Sequence, residues 1–112
     1  MAGKWVILGI LPIDEEQATL NTGTSYAGYN AELALMNQKM QASLEAHATS
    51  AQYVFIDPAS IPGFVDAQGN MKDEHQALYN GVPDAIHPNE NCYNTLINPI
   101  IGNALVSLGV AL

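Results

Sequence analysis

Trp5-Val6-Ile7-Leu8-Gly9-Ile10-Leu11 is an unbroken apolar run with aromatic and β-branched members, and it stops at Pro12. A run that does not alternate reads as a strand buried on both faces, as in a parallel sheet, rather than one wetted on one side. Its counterpart is Gln52-Tyr53-Val54-Phe55-Ile56-Asp57, closed by Pro58. Between the two, from about Tyr26 to His47, Leu33, Met36, Met40, Leu44 and His47 recur at intervals of three and four. That spacing predicts one apolar stripe on a helix, with Glu32, Asn37, Lys39 and Glu45 on the opposite face. No Gly or Pro interrupts Ala31–Ala48. Strand, helix and strand of these lengths form a βαβ unit, whose parallel crossover is expected to be right-handed. The polar stretch Asp14–Ser25, rich in Thr, Asn and Gly, reads as a loop.

Beyond the second strand the chain is punctuated by Pro62-Gly63, Gln68-Gly69-Asn70 and Asn80-Gly81. A connection as long as Pro58–Asn91 is usually functional or carries a short helix, and Met71–Tyr79 is the stretch that could supply one. From Asn91 to Leu112, apolar residues at Leu96, Ile97, Ile100, Ile101, Leu105 and Leu108 predict a C-terminal helix. Pro99 should kink it or start a new first turn. Two strands and two helices cannot cover both faces of a parallel sheet. The expectation is therefore an α/β fold of which residues 1–112 are either a small single domain or, preferably, the C-terminal part.

Composition narrows the partners. Apolar residues make up 48% and charged residues 12%, a balance that folds, since disorder needs the reverse. Eleven acidic residues against three basic ones give a net charge of -8, which disfavours phosphate backbones and anionic membrane surfaces alike. The single cysteine, Cys92, excludes an internal disulfide and a multi-cysteine zinc module. No run of 18 apolar residues is present, and Lys4–Ile13 lacks the marks of a secretory signal. The chain reads as soluble, with no nucleic-acid or membrane partner expected. Its compartment is not encoded.

Chemistry concentrates in Gly81-Val82-Pro83-Asp84-Ala85-Ile86-His87-Pro88-Asn89. On a turn, an Asp-x-x-His spacing can bring the carboxylate to the imidazole Nδ1–H. The carboxylate then holds the tautomer and leaves Nε2 free to take a proton from a hydroxyl. Pro88 pushes His87 out of the α region, presenting it from a turn or extended backbone. The same spacing also describes a surface loop with a simple Asp–His hydrogen bond. His75, Asp73 and Glu74, with Asp84 and His87, carry zinc or manganese donors. No His-x-x-x-His or His-Glu-x-x-His spacing supports a metal, so His75 reads as an exposed residue on a short helix. His47 reads as a helix-terminal residue and Met36 and Met40 as core filler. Asp57 reads as a turn cap or a residue lining the site, and Asn89 as a brace for the His87 loop. Cys92 is a small buried hydrophobe or, less favoured, a nucleophile.

Taken in order, Val6–Pro12, Tyr26 and Asn30 entering the helix, Tyr53–Asp57, and Asp84-Ala85-Ile86-His87-Pro88-Asn89 with Tyr93 resemble the C-terminal half of the SGNH (GDSL-type) hydrolase family. Family members usually have Gly where Ala85 stands, and often Gly where Cys92 precedes Tyr93. The resemblance implies a flavodoxin-like three-layer sandwich with a parallel sheet. It also implies a serine esterase acting on carboxylic esters, O-acetyl groups on carbohydrates among them, with His87 as general base and Asp84 as its orienting acid. No cofactor or metal is expected. The family's Gly-Asp-Ser block and its oxyanion-hole blocks have no counterpart in this sequence. None of Ser25, Ser43, Ser50, Ser60 and Ser107 lies in such a setting, and Gly23-Thr24-Ser25 is the nearest imitation. The nucleophile is therefore expected from a second polypeptide or an upstream segment. The competing expectation is a non-catalytic α/β assembly or binding module derived from the same fold.

Overall fold

In the computed structural model, which describes residues 3–110, β1 (Trp5–Leu8) and β2 (Tyr53–Ile56) pair in parallel. The register sets Trp5 opposite Tyr53 and Leu8 opposite Ile56. Between them run α1 (Glu15–Thr22) and α2 (Tyr29–His47). After β2 come β3 (Gln76–Tyr79) and β4 (Val82–Pro88), an antiparallel hairpin forming a second two-stranded sheet. A helical stretch closes the chain: α3 (Glu90–Cys92), a π-helical segment (Tyr93–Ile97) and α4 (Asn98–Ser107). The class is mixed helix and strand with a short parallel pair.

The core gathers Ile56, Ile61, Phe64, Met71, Cys92, Ile97 and Ala104, with Val6, Leu8 and Val54 from the parallel pair packed against it. Ile7, next in alternation, shares a cleft with Met40 and Leu44 of α2. Each face of β1 thus has a helix near it, but the strand is only half-buried and Trp5 is 48% exposed, less covered than its apolar run predicts. The reason is sheet width: among the described residues β1 has one neighbouring strand, not two.

The strand also ends earlier than the apolar run. Gly9 N–H still donates to Ile56 O at 2.9 Å, and then Asn37 of α2 intervenes. Its side-chain amide accepts from Ile10 N–H at 2.8 Å and donates to Ile10 O at 3.0 Å. Asn30 does the same to Ile13, accepting at 2.8 Å and donating at 2.8 Å. Seven helical residues rise about 10.5 Å. Three extended residues span roughly 10 Å. Two asparagines two turns apart therefore match the backbone of Ile10–Ile13, and α2 takes the place of a neighbouring strand. Gly9 is required there, since a Cβ would sit 2.8 Å from Asn37 Oδ1 and 3.0 Å from Pro58 Cδ.

This clamp corrects the expected helix face. The inward residues of α2 are Leu33 and Asn37, buried, and Asn30, Met40 and Leu44, half-buried. Met36 is 49% exposed and His47 is exposed, so neither belongs to the inward stripe. Asn37, assigned by polarity to the outer face, is buried because its amide satisfies two backbone groups. His47 does end the helix, its Nδ1 2.9 Å from Ser43 O.

Two further expectations are corrected. Asp14–Ser25 is not a loop: Asp14 Oδ1 caps α1 by accepting from Gln17 N–H at 3.1 Å, and Glu15 and Glu16 favour its positive end. Glu15 also accepts from Gly28 N–H at 2.9 Å and Asn30 N–H at 2.8 Å, so a carboxylate of α1 caps α2, whose own N-cap, Gly28, has no side chain to do so. Met71–Tyr79 is not a helix but a short 3-10 turn (Asp73–His75) followed by β3. Asn80 (φ 52°) and Gly81 (φ 77°) are both left-handed, the backbone of a tight two-residue hairpin turn, which folds Val82–Pro88 back onto β3.

The C-terminal helix is present from Glu90 to Ser107, while Ala111 and Leu112 of its expected span lie outside the described residues. Pro99 falls in the first turn of α4, where its missing N–H matters least. The wider π turn before it, in which Asn98 N–H reaches Tyr93 O, gives room for the proline ring against the preceding carbonyls. Among the described residues no helix is long and apolar enough to cross a membrane.

Candidate functional site

Asp84 and His87 lie on β4, not on a loop, and a regular strand would separate them. Residues three apart in a strand point to opposite faces, about 10 Å from one another. Here the ladder breaks between them. Gln76 pairs with Pro88 and Leu78 with Pro83, so Ala77 alone on β3 faces the four residues Asp84–His87 on β4. This bulge turns on Ala85, whose φ is 73°. Bulges of this kind re-aim side chains. His87 Nδ1 comes to 2.5 Å from Asp84 Oδ2, and the same oxygen accepts from His87 N–H at 3.0 Å.

A carboxylate only accepts, so Nδ1 carries the proton, and in the neutral ring Nε2 keeps its lone pair. Among the described residues nothing is hydrogen-bonded to Nε2, and the His87 side chain is 74% exposed against 26% for Asp84. A pair this open adds little to stability. It leaves an oriented imidazole nitrogen facing solvent, the arrangement a general base needs.

A left-handed alanine costs about 1–2 kcal/mol. Ala85 is held there from beneath. Its methyl is fully buried against Ile13 and Ala18, in a small apolar cluster that Tyr26 also joins. Its N–H donates to Gln76 Oε1 at 2.7 Å, and its carbonyl accepts from Asp14 N–H at 2.9 Å. Gln76 is buried, and its Nε2 donates to Met71 O at 3.0 Å, Asp14 Oδ2 at 3.1 Å and Asp73 Oδ1 at 3.3 Å. Asn21 of α1 adds a bond from Nδ2 to Pro83 O at 3.0 Å. At the far end of the bulge Asn89 braces the strand as expected, donating from Nδ2 to Glu74 O and Gln76 O and capping α3 through Cys92 N–H. The Asp73 carboxyl sits above its ordinary value, first through a hydrogen bond with Asp14, then through slight desolvation by its neighbours and the charges of Asp14, Asp66 and Glu16.

Neither Gln76 nor Asp14 is among the site residues that motif spacing picks out. Asp14 followed by Glu15-Glu16 carries a helix-start signal that could have exposed α1. Asn80-Gly81 is a strong hairpin signal that could have exposed β3 and β4. Nothing local marks Gln76.

The remaining candidates fall elsewhere. Ser25 lies in a cleft of about 390 Å³ with Glu15, Glu16, Thr19 and Asn70. Asp84 lines a different one of about 350 Å³, with Asn21, Tyr79, Val82 and Ile86. Ser25 is therefore not brought to the pair. Cys92 is completely buried in the core, and burial pushes its thiol up, which rules it out as an activated nucleophile. Asp57 caps the turn Pro58–Ser60 by accepting from Ala59 N–H at 3.1 Å. His75 is not exposed on a helix: its ring stacks on Phe64, centroids 6.2 Å apart, and Nε2 lies 2.8 Å from Gly63 O. Among the described residues no three of His, Cys, Asp and Glu converge as a metal would require. Comparison of the chain with protein-family models, with curated proteins and with solved structures finds no significant match.

Proposed function

We propose that the chain supplies the Asp–His half of the catalytic triad in an SGNH-type serine esterase acting on carboxylic esters, O-acetylated carbohydrates among them. The observation that carries this reading is the Nδ1 contact to Asp84 made by an imidazole whose Nε2 is open to solvent. A second observation supports it: the turn-forming residue is Ala85, left-handed, at the position where the family usually has glycine. In the reaction His87 Nε2 takes the proton of a serine hydroxyl as its oxygen bonds to the ester carbonyl carbon. The proton then passes to the departing alcohol oxygen. A water deprotonated by the same nitrogen then bonds to the acyl carbon, the acyl–serine bond breaks with return of that proton to the serine oxygen, and the acid is released, while Asp84 stabilises the imidazolium in both steps. The serine and the oxyanion donors come from a second polypeptide or from a segment outside these residues, which would also extend the two-stranded parallel sheet towards a three-layer sandwich.

The test is a fluorophosphonate probe applied to the protein purified from its native cells, read by intact mass and site mapping. The expected result is one labelled serine outside this chain, with His87→Ala lowering turnover about 10²–10⁴-fold. A label on Ser25 would place the nucleophile in this chain instead. Unchanged turnover in His87→Ala, or no labelled serine at all, overturns the reading. The non-catalytic assembly role has its own support in the exposure of Leu78 and Tyr79 at the hairpin tip. It expects no labelled serine and an assembly that survives His87→Ala but not Tyr79→Ser.

A further inference from the structure

We propose that Gln76 is a positioning residue for the Asp84–His87 pair. It acts through the backbone of Ala85, and its side-chain hydrogen bonds go to neither member of the pair. The inference rests on the pair described above and not on the ester chemistry assigned to it.

Gln76 is nearly inaccessible to solvent, and both ends of its amide are engaged. Oε1 accepts the Ala85 N–H at 2.7 Å, while Nε2 spans Met71 O, Asp14 Oδ2 and Asp73 Oδ1. Asp14 closes the arrangement from the other side, its own N–H donating to Ala85 O. The two polar groups of the one left-handed residue in the bulge are thus tied to two different elements, β3 and the start of α1. Gln76 sits where the ladder is about to break, paired with Pro88, so its side chain rather than its backbone reaches into the bulge. Remove the amide and Ala85 loses the partner of a buried N–H, which favours relaxation to the extended region. In a regular strand Asp84 and His87 then point to opposite faces and the Nδ1 contact is lost.

A glutamine that merely stabilised the hairpin would lower stability on mutation and leave the imidazole tautomer alone. A positioning glutamine changes the tautomer. The measurement is the ¹⁵N NMR signature of the His87 ring nitrogens at a pH where the ring is neutral. Wild-type protein is expected to show the proton on Nδ1. Asp84→Asn is the reference for a broken pair. Gln76→Met, close in volume and without hydrogen bonds, is expected to lose the Nδ1–H signature as Asp84→Asn does. Adding Ala85→Gly, which lets position 85 hold its left-handed turn without strain, is expected to restore most of it. Retention of the Nδ1–H tautomer in folded Gln76→Met overturns the proposal, and so does failure of Ala85→Gly to recover any of it.

Should Gln76→Met not fold, hydrogen exchange of the wild-type Ala85 amide decides. Protection comparable to that of β1–β2 amides is the expected result. Exchange at the rate of an open amide overturns the assignment. None of these readouts depends on turnover, so a failed esterase reading and a failed positioning role are told apart.

Discussion

The parallel pair β1–β2 and the hairpin β3–β4 are each two strands wide, yet different forces hold them. Val6, Leu8 and Val54 of the first pack on Ile56, Phe64, Met71 and Ile97, a continuous apolar core. The hairpin turns Leu78 and Tyr79 to solvent, 68% and 74% exposed, and is anchored at its base by Gln76, Asn89 and the backbone of Asp14. Apolar packing is spread over many contacts and responds to volume. A buried amide network is concentrated in a few atoms and fails when one partner is lost. The candidate site sits on the second kind of structure, where a few directional bonds can hold a backbone that packing alone would not select.

That contrast can be broken or sharpened by substitution. Phe64→Ala removes a side chain with no solvent exposure and is expected to cost about 3–5 kcal/mol, lowering the urea midpoint and exposing β1–β2 and β3–β4 together. If hydrogen exchange showed only the parallel pair opening, the two regions would be separate folding units. Gly81→Ala meets no neighbouring atom, so its cost is conformational alone. About 1 kcal/mol is expected from the left-handed φ, seen as faster exchange in β3–β4 with β1–β2 unchanged. An equal response in both regions would mean that the hairpin is coupled to the core more tightly than its anchors imply.

The smallest effect belongs to Asp73. Its folded-state pKa is raised, so the folded protein holds that proton more tightly than the unfolded chain does. The stability this contributes is present below the unfolded value of 3.8 and is lost as pH rises through the folded value. Asp73→Asn keeps an acceptor for Gln76 and removes the carboxylate that faces Asp14. Because the position is exposed, a relative gain of only a few tenths of a kcal/mol near neutral pH is expected after solvent screening. Thermal melts at pH 3.5 and 7 would check it, and a larger gain at the lower pH would reverse the assigned sign.

Much of the first region was legible in the sequence. The apolar runs at Trp5 and Gln52, the uninterrupted helix between them and the apolar C-terminal segment with Pro99 all have structural counterparts. The departure in the α2 face has a single cause: polarity assigns Asn37 outward, and a polar side chain turns inward when it has two backbone groups to satisfy. In the second region the chemistry is legible in the sequence and the architecture is not. Spacing picks out Asp84 and His87, with Asn89 as their brace, but the same sequence reads as a loop where β4 carries the pair and as a helix where β3 pairs with it.

By itself, then, the sequence determined what local free energies decide: where apolar periodicity runs, where prolines end it, and that one carboxylate stands three residues before one imidazole. Tertiary structure alone decided that the two meet. An isolated Ala-containing strand favours φ below zero, and Ala85 is held at 73° only because Gln76 from β3 and Asp14 from the start of α1 bind its two backbone groups while Ile13 and Ala18 enclose its methyl. No window of neighbouring residues contains those partners, so no local pattern could announce the bulge that makes the pair.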